Sequence, residues 1–181
     1  MKIIKTEIMK NFIYTVLALL LFVACKDAAV RYASSSPEID SLKSLVKDYE
    51  AGDWEAWMAH YADTAKVYHN SKEASTVAEL QEGLSGLLAN TSSYGFEDND
   101  QFYEMIVDDD GETWVNFWGN WEGTLSANNK KLSVPVHLTA QFVDGKIVEE
   151  HAYYDLSEYM HEINKINEAK MAEEAAMEET E

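Results

Sequence analysis

The chain has 181 residues, 14 Lys and Arg against 33 Asp and Glu, and a formal net charge of -19. So acidic a balance excludes a phosphate-binding face for nucleic acid and a polybasic membrane patch, both of which need clustered positive charge. Hydrophobic residues make up 46% of the chain, enough for one packed domain at this length, and a single cysteine excludes an internal disulfide and a cysteine-built zinc site.

Lys2, Lys5 and Lys10 precede an apolar run over 12–24, broken only by Tyr14 and Thr15. The run falls short of the about 20 apolar residues that a spanning helix needs and has the length of a signal-peptide core. It ends in Phe22-Val23-Ala24-Cys25, which resembles the bacterial lipobox, with Phe22 where leucine is usual. The resemblance implies cleavage before Cys25 and lipidation of Cys25. It places the protein in the bacterial cell envelope, facing the periplasm or on the cell surface, with the membrane reached through the anchor only. An ordinary signal peptide with an incidental cysteine is the plain alternative. Residues 1–24 are therefore expected as signal peptide, 25–37 as lipidated cysteine and tether, 38–160 as the folded domain and 161–181 as an acidic helix or tail.

Ile39, Leu42, Leu45, Val46 and Tyr49 recur at helical spacing and predict a helix over 38–51, started by Ser36-Pro37 and stopped by Gly52. Asp53 can cap a short helix through Trp54, Trp57, Met58 and Tyr61. Residues 65–69 read as a strand. Ser75 is the expected cap of a third helix to about Asn90, with Val77, Leu80, Leu84, Leu87 and Leu88 on its buried face. Period-two patterning then predicts a strand over 94–107, interrupted near Asp98-Asn99-Asp100, and further strands over 112–125, 131–143 and 146–154. Asp144-Gly145 is a two-residue hairpin signal. Leu156, Tyr159, Met160 and Ile163 predict a last helix over 156–167. Helices first and long antiparallel strands after them make an α+β domain, with helices on one face of a curved sheet.

That order resembles the nuclear-transport-factor-2-like fold of ketosteroid isomerase and the SnoaL-like proteins. The resemblance rests on Tyr49-Glu50-Ala51-Gly52-Asp53-Trp54 closing on Tyr61-Ala62-Asp63, on the short strand ending in His69, and on Phe142-Val143-Asp144-Gly145-Lys146-Ile147-Val148-Glu149-Glu150-His151-Ala152-Tyr153-Tyr154-Asp155. It implies a cone-shaped half-barrel of curved antiparallel sheet with three N-terminal helices and an apolar pocket. It also implies dimers built on the sheet, so a homodimer is an expected assembly. The family holds isomerases, cyclases and dehydratases as well as proteins without known activity, so enzyme and binding domain both stay open.

Residues two apart share a strand face. Glu149, His151, Tyr153 and Asp155 lie together, as do His137, Thr139 and Gln141, and Trp114, Asn116, Trp118 and Asn120; parity alone does not say which face is interior. His151 and Asp155 are the candidate general bases, because a carboxyl in an apolar wall is pushed toward neutrality. The simpler reading of Asp155 is a cap for the helix from Leu156. Tyr68, His69, Trp118, Asn120, His137 and Tyr153 are the candidate contacts for a small apolar or aromatic molecule, the expected partner. His69, His137 and His151 lack the paired spacing of a metal set, and there is no G-x-S-x-G elbow, phosphate loop or GxGxxG, so no metal or cofactor is expected. A partner-binding domain that uses the sheet face or the acidic tail is the non-catalytic alternative.

Overall fold

The computed structural model describes residues 31–178; the signal-peptide and lipidation readings, Cys25 included, lie outside them. No helix among the described residues is long and apolar enough to cross a membrane. The segment expected as a tether ends in order. Tyr32–Ala33 forms β1, paired antiparallel with β4 (Phe102–Val107) through Tyr32 and Ile106.

Helix α1 (Pro37–Ala51) has the predicted ends. The Ser36 side chain accepts from Ile39 N, proline occupies the first turn, and Gly52 closes the helix in the left-handed region at φ 67°. Ile39, Leu42, Leu45 and Val46 are its buried stripe. Asp53 caps α2 (Trp54–Met58) by accepting from Ala56 N. Strand β2 (Tyr61–His69) starts four residues earlier than its sequence pattern suggests.

The cap of α3 (Val77–Leu88) is Thr76, not Ser75. Thr76 has glutamate three residues on and forms a capping box with Glu79, whereas Ser75 spends its backbone N–H and C=O on Val67 of β2. The strand expected over 94–107 is interrupted at Asp98-Asn99-Asp100 as its sequence suggests, and its two parts, β3 (Thr91–Phe96) and β4, pair side by side with different halves of β5 (Thr113–Leu125). Strands β6 (Lys131–Val143) and β7 (Lys146–Tyr154) complete the meander. Asp144 and Gly145 both take positive φ, as a type I′ hairpin requires. The last helix, α4 (Ser157–Glu178), continues well past residue 167, so the acidic end is helical through Glu178.

The sheet order is β1-β4-β5-β6-β7-β2, with β3 on β5. All pairings are antiparallel except β2 with β7, which is parallel. The sheet is curved and unclosed, and α1 fills its inner side. Glu50 ties the two layers together, its Oε1 accepting from Phe96 N at 2.8 Å. The curvature needs bare backbone at two points on β5. Phe117 lies over Gly119 and Trp121 over Gly123, where an added Cβ would meet the rings at 2.4 and 2.2 Å.

The β6–β7 ladder carries one irregularity. Phe142 pairs with Ile147, but Gln141 pairs with Glu149, so Val148 is an extra residue. The bulge reverses the alternation of β7. Ile147 is buried, and beyond the bulge it is Glu150 and Ala152 that are buried rather than Glu149 and His151.

Gly123→Ala is expected to destabilise the chain by about 1–3 kcal/mol, because the methyl group displaces Trp121. Thermal unfolding reads this as a drop of several degrees, and an unchanged midpoint would show that the ring steps aside without cost.

Candidate active site

The inner side of the sheet, α1, α3 and the start of α4 enclose a cavity of about 110 Å³. Its wall is aliphatic and aromatic, from residues such as Leu45, Val46, Phe117, Trp121, Val136 and Leu138. One charged side chain interrupts it. Glu150 is 1% exposed and is the buried charged residue of the described chain.

An ionised carboxylate survives such burial only if hydrogen bonds replace water. Glu150 has them on both oxygens. Oε1 lies 2.8 Å from His69 Nε2, and Oε2 accepts from the Tyr61 hydroxyl at 2.8 Å. His69 Nδ1 lies 3.1 Å from the Tyr154 hydroxyl. One assignment satisfies the whole chain: neutral His69 donates from Nε2 to Glu150 and accepts at Nδ1 from Tyr154. Burial raises the pKa of Tyr61 far above the ordinary tyrosine value, and the charge of Glu150 adds to the rise. Tyr154 is raised by the same two causes in the same order. Both phenols therefore stay protonated and serve as donors.

The network draws on three places in the sequence. Tyr61 and His69 stand at the two ends of β2, and Glu150 and Tyr154 on β7. Parallel pairing of the two strands sets Val67 beside Glu150 and His69 beside Ala152, which brings the imidazole to the carboxylate. A second polar pair sits on the helix side, where Trp121 Nε1 donates to the Tyr49 hydroxyl at 3.0 Å. Burial raises the pKa of Tyr49 as well, so this hydroxyl too keeps its proton.

Among the candidates drawn from the sequence, His69 alone lines the cavity. Tyr68, Trp118, Asn120, His137, His151 and Tyr153 stand on the outer face, and their expected place in the cone is corrected by the bulge at Val148 and by the inward turn of the apolar faces of β5 and β6. His151 stacks on Tyr68 at 4.6 Å and bonds to Glu149 at 2.9 Å. Asn120 bonds to Glu97 and Ser133. Asp155 is exposed and accepts from Ser157 N at 2.8 Å at the entry to α4. Hydrogen bonding from Ser157, first from its side chain and then from its backbone N–H, holds the pKa of Asp155 below the usual carboxylate range, the reverse of what a general base needs. The sequence reading missed Glu150, Tyr61, Tyr154 and Tyr49. Glu150 stands in the resembling motif itself, one residue from the position singled out.

The outer face has its own order. Phe102, Trp118, His137 and Tyr153 form one cross-strand row, with Trp118 and His137 stacked at 4.7 Å. Phe102, Trp118 and Tyr153 are 51%, 38% and 54% exposed. His137 Nε2 is buried without a hydrogen-bond partner, and burial lowers the pKa of its ring, with Glu104 opposing. A third histidine–carboxylate pair, His60 with Asp48 at 2.8 Å, lies 3.4 Å from Ser41 Oγ. Ser41 is inside α1, where neighbouring N–H groups are spent in the helix, so no oxyanion site accompanies it. The described residues contain no cluster able to hold a metal ion.

The model of the SnoaL-like domain matches residues 42–150, more than half of the chain. No curated protein matches the sequence. Among solved structures, the chain resembles a proposed polyketide cyclase from Xanthomonas campestris pv. campestris (TM-score 0.56, 17% identity, 70% of this chain and 96% of the other). It also resembles AclR, a proposed hydroxylase from Streptomyces galilaeus (TM-score 0.58, 15% identity, 71% and 96%). A third likeness is to PrhC from Penicillium brasilianum (TM-score 0.60, 13% identity, 76% and 93%). At these identities the likeness is one of fold.

Glu150→Gln keeps the shape of the side chain but sets an amide N–H₂ against a donor, so it is expected to cost about 1–3 kcal/mol in urea unfolding. A cost near zero would mean that the carboxyl is already protonated and donating. His137 gives a pH signature. Its folded-state pKa is lowered, so the stability it contributes is present above the ordinary histidine value near 6.5 and is lost as pH falls through the lowered value. His137→Phe should flatten the fall in melting temperature between pH 7.5 and 5, and an unaltered slope would assign that fall to other groups.

Proposed function

This chain belongs to the SnoaL-like domain family, and on that premise we propose that its cone cavity binds a small, mostly apolar molecule and exchanges a proton with it through Tyr154, His69 and Glu150. One observation carries the reading: a carboxylate at 1% exposure, held by His69 and Tyr61, in a wall that is otherwise apolar. A structural core gains nothing from a buried charge that well-packed apolar residues could replace, whereas acid–base chemistry needs one.

The chemistry follows from the hydrogen-bond directions. The Tyr154 oxygen takes a weakly acidic proton from the ligand while its own proton passes to His69 Nδ1. Tyr154 never ionises, as its raised pKa demands. The imidazolium is stabilised by Glu150 at 2.8 Å, in a low-dielectric site where that pairing is stronger than in water. Return of the proton to another atom of the ligand completes an isomerisation, cyclisation or elimination. This is the isomerase, cyclase or dehydratase reading with its base moved from Asp155 and His151 to His69.

A second reading is favoured by the outer row of Phe102, Trp118, His137 and Tyr153, which is uncharged at neutral pH on a chain of net charge -19. Such a patch suits contact with a second copy, because it is where two acidic chains meet with least repulsion. Lipid attachment through Cys25 completes the proposal; labelled palmitate incorporated by the native chain and lost in Cys25→Ser would support it, and equal labelling of both would overturn it.

The catalytic reading is tested by proton exchange. The full chain in D₂O should accelerate α-deuteration of cyclohexanone, followed by proton NMR, by 10²-fold or more over buffer, and Glu150→Gln should return it to the buffer rate. No acceleration by the native chain would end the proton-transfer reading. The second-copy reading predicts a dimer in sedimentation velocity that Trp118→Glu dissociates; a native monomer would remove it.

A further inference from the structure

The wall of the cavity is uneven in strength. Helix α1 contributes Leu45 and Val46, both fully buried, and contains no glycine between Pro37 and Ala51. Helix α3 differs. Its lining residues Leu84 and Leu87 are only half-buried, so they touch the cavity on one side and solvent on the other. They stand in the run Gly83-Leu84-Ser85-Gly86. A glycine inside a helix often marks a close approach that a side chain would block. Neither of these does, because a Cβ added at Gly83 or Gly86 would meet nothing within 4 Å. Each therefore weakens α3 with no packing reason, and makes local loss of the helix about fivefold easier than alanine would. Ser85 adds to the weakness. Its hydroxyl donates to the Glu82 carbonyl at 3.0 Å, a side-chain bond that loosens and bends helices. The ends of α3 are fastened by contrast. The Thr76–Glu79 capping box holds the start. At the other end Tyr159 of α4 donates to the Leu87 carbonyl at 2.6 Å, and its oxygen accepts from Asn90 Nδ2 at 3.2 Å. A helix held at both ends and weak between them opens first in the middle.

We propose that the middle of α3, from Gly83 to Gly86, is the gate through which a small apolar molecule enters and leaves the cavity, with the Tyr159–Leu87 bond as its latch. The inference rests on the proposed binding role of the cavity and deepens it. Closed, Leu84 and Leu87 complete the apolar wall and keep water from the carboxylate of Glu150. Opening unwinds about one turn and carries the two leucines outward. The backbone groups it frees lie on the solvent side, where water satisfies them, so no buried polar group is stranded. The same movement in α1 would break its tie to the sheet, the bond from Phe96 N to Glu50. A gate sets the barrier to exchange and not the energy of the bound state. It therefore changes the rates of entry and exit together and leaves affinity alone.

Fluorobenzene is a suitable probe, since a cavity of about 110 Å³ accommodates an apolar molecule of about one ring. Fluorine NMR of the full chain gives its Kd and its rates of entry and exit. The double variant Gly83→Ala/Gly86→Ala should slow entry and exit alike by about tenfold or more and leave Kd within about twofold. Amide hydrogen exchange in α3, measured without the probe, should slow by a similar factor. Tyr159→Phe keeps the ring and removes the latch, so it should speed both exchange of the probe and exchange of the α3 amides, with thermal melts confirming that the variant folds. Unchanged entry and exit rates in the double-alanine variant would overturn the gate and leave the cavity reading standing. So would faster probe exchange in Tyr159→Phe without slowing by the alanines, since the moving element would then be α4. Failure of the native chain to bind fluorobenzene would overturn the cavity reading and the gate with it.

Discussion

One extra residue in β7 governs the chemistry of this domain. Val148 has no partner on β6, and the alternation of side chains reverses as the strand passes it. Without the bulge, the burial of Ile147 would be followed by that of Glu149, His151 and Tyr153. With it, Glu150, Ala152 and Tyr154 face the cavity. A shift of one residue exchanges the entire side-chain set of a strand between its two faces. Here it exchanges one carboxylate for its neighbour and sends His151 to the outside.

The rest of the site is arranged around the carboxylate thus turned inward. Its desolvation is offset by two charge-assisted hydrogen bonds, each of the class worth about 1.5–3 kcal/mol. Both donors come from β2, which runs parallel to β7 at the end of the sheet path. Their placement depends on that parallel pairing, so the cavity chemistry and the sheet topology are one constraint. The close approaches of Phe117 to Gly119 and Trp121 to Gly123 serve the same end, since they lay large rings along the inner face of β5. Trp121 then reaches Tyr49 on the helix side. The cavity therefore has polar groups on two walls, held by different elements, with apolar surface between them.

The outer face shows the other consequence of the bulge. An antiparallel sheet with one face on a core usually presents polar residues on the other. This one presents a row of stacked rings, with Tyr68 on His151 and Trp118 on His137. Aromatic and histidine residues that by type alone belong to a ligand pocket here pair across strands instead. Residue type was a poor guide to side, because a stacked outer row and a pocket wall draw on the same amino acids.

Much of the architecture was legible in the sequence through local physics. Ser36, Pro37, Gly52 and Asp53 mark the ends of α1 and α2 because caps act within a turn of the chain. Asp144-Gly145 places the last hairpin because its turn type needs positive φ at both residues. The resemblance to SnoaL-like proteins and the α+β class follow from the order of such elements. What the sequence could not settle are the features set by distant partners: the sharing of β5 by β3 and β4, and the inward turn of Glu150 in place of Glu149. The amino-acid sequence by itself determined the type and order of the helices, strands and turns and several of their ends, since those signals are local. Only the tertiary structure decided which residues meet in the cavity, because a bulge and a parallel strand pairing depend on contacts across the whole sheet and leave no periodic mark in the chain.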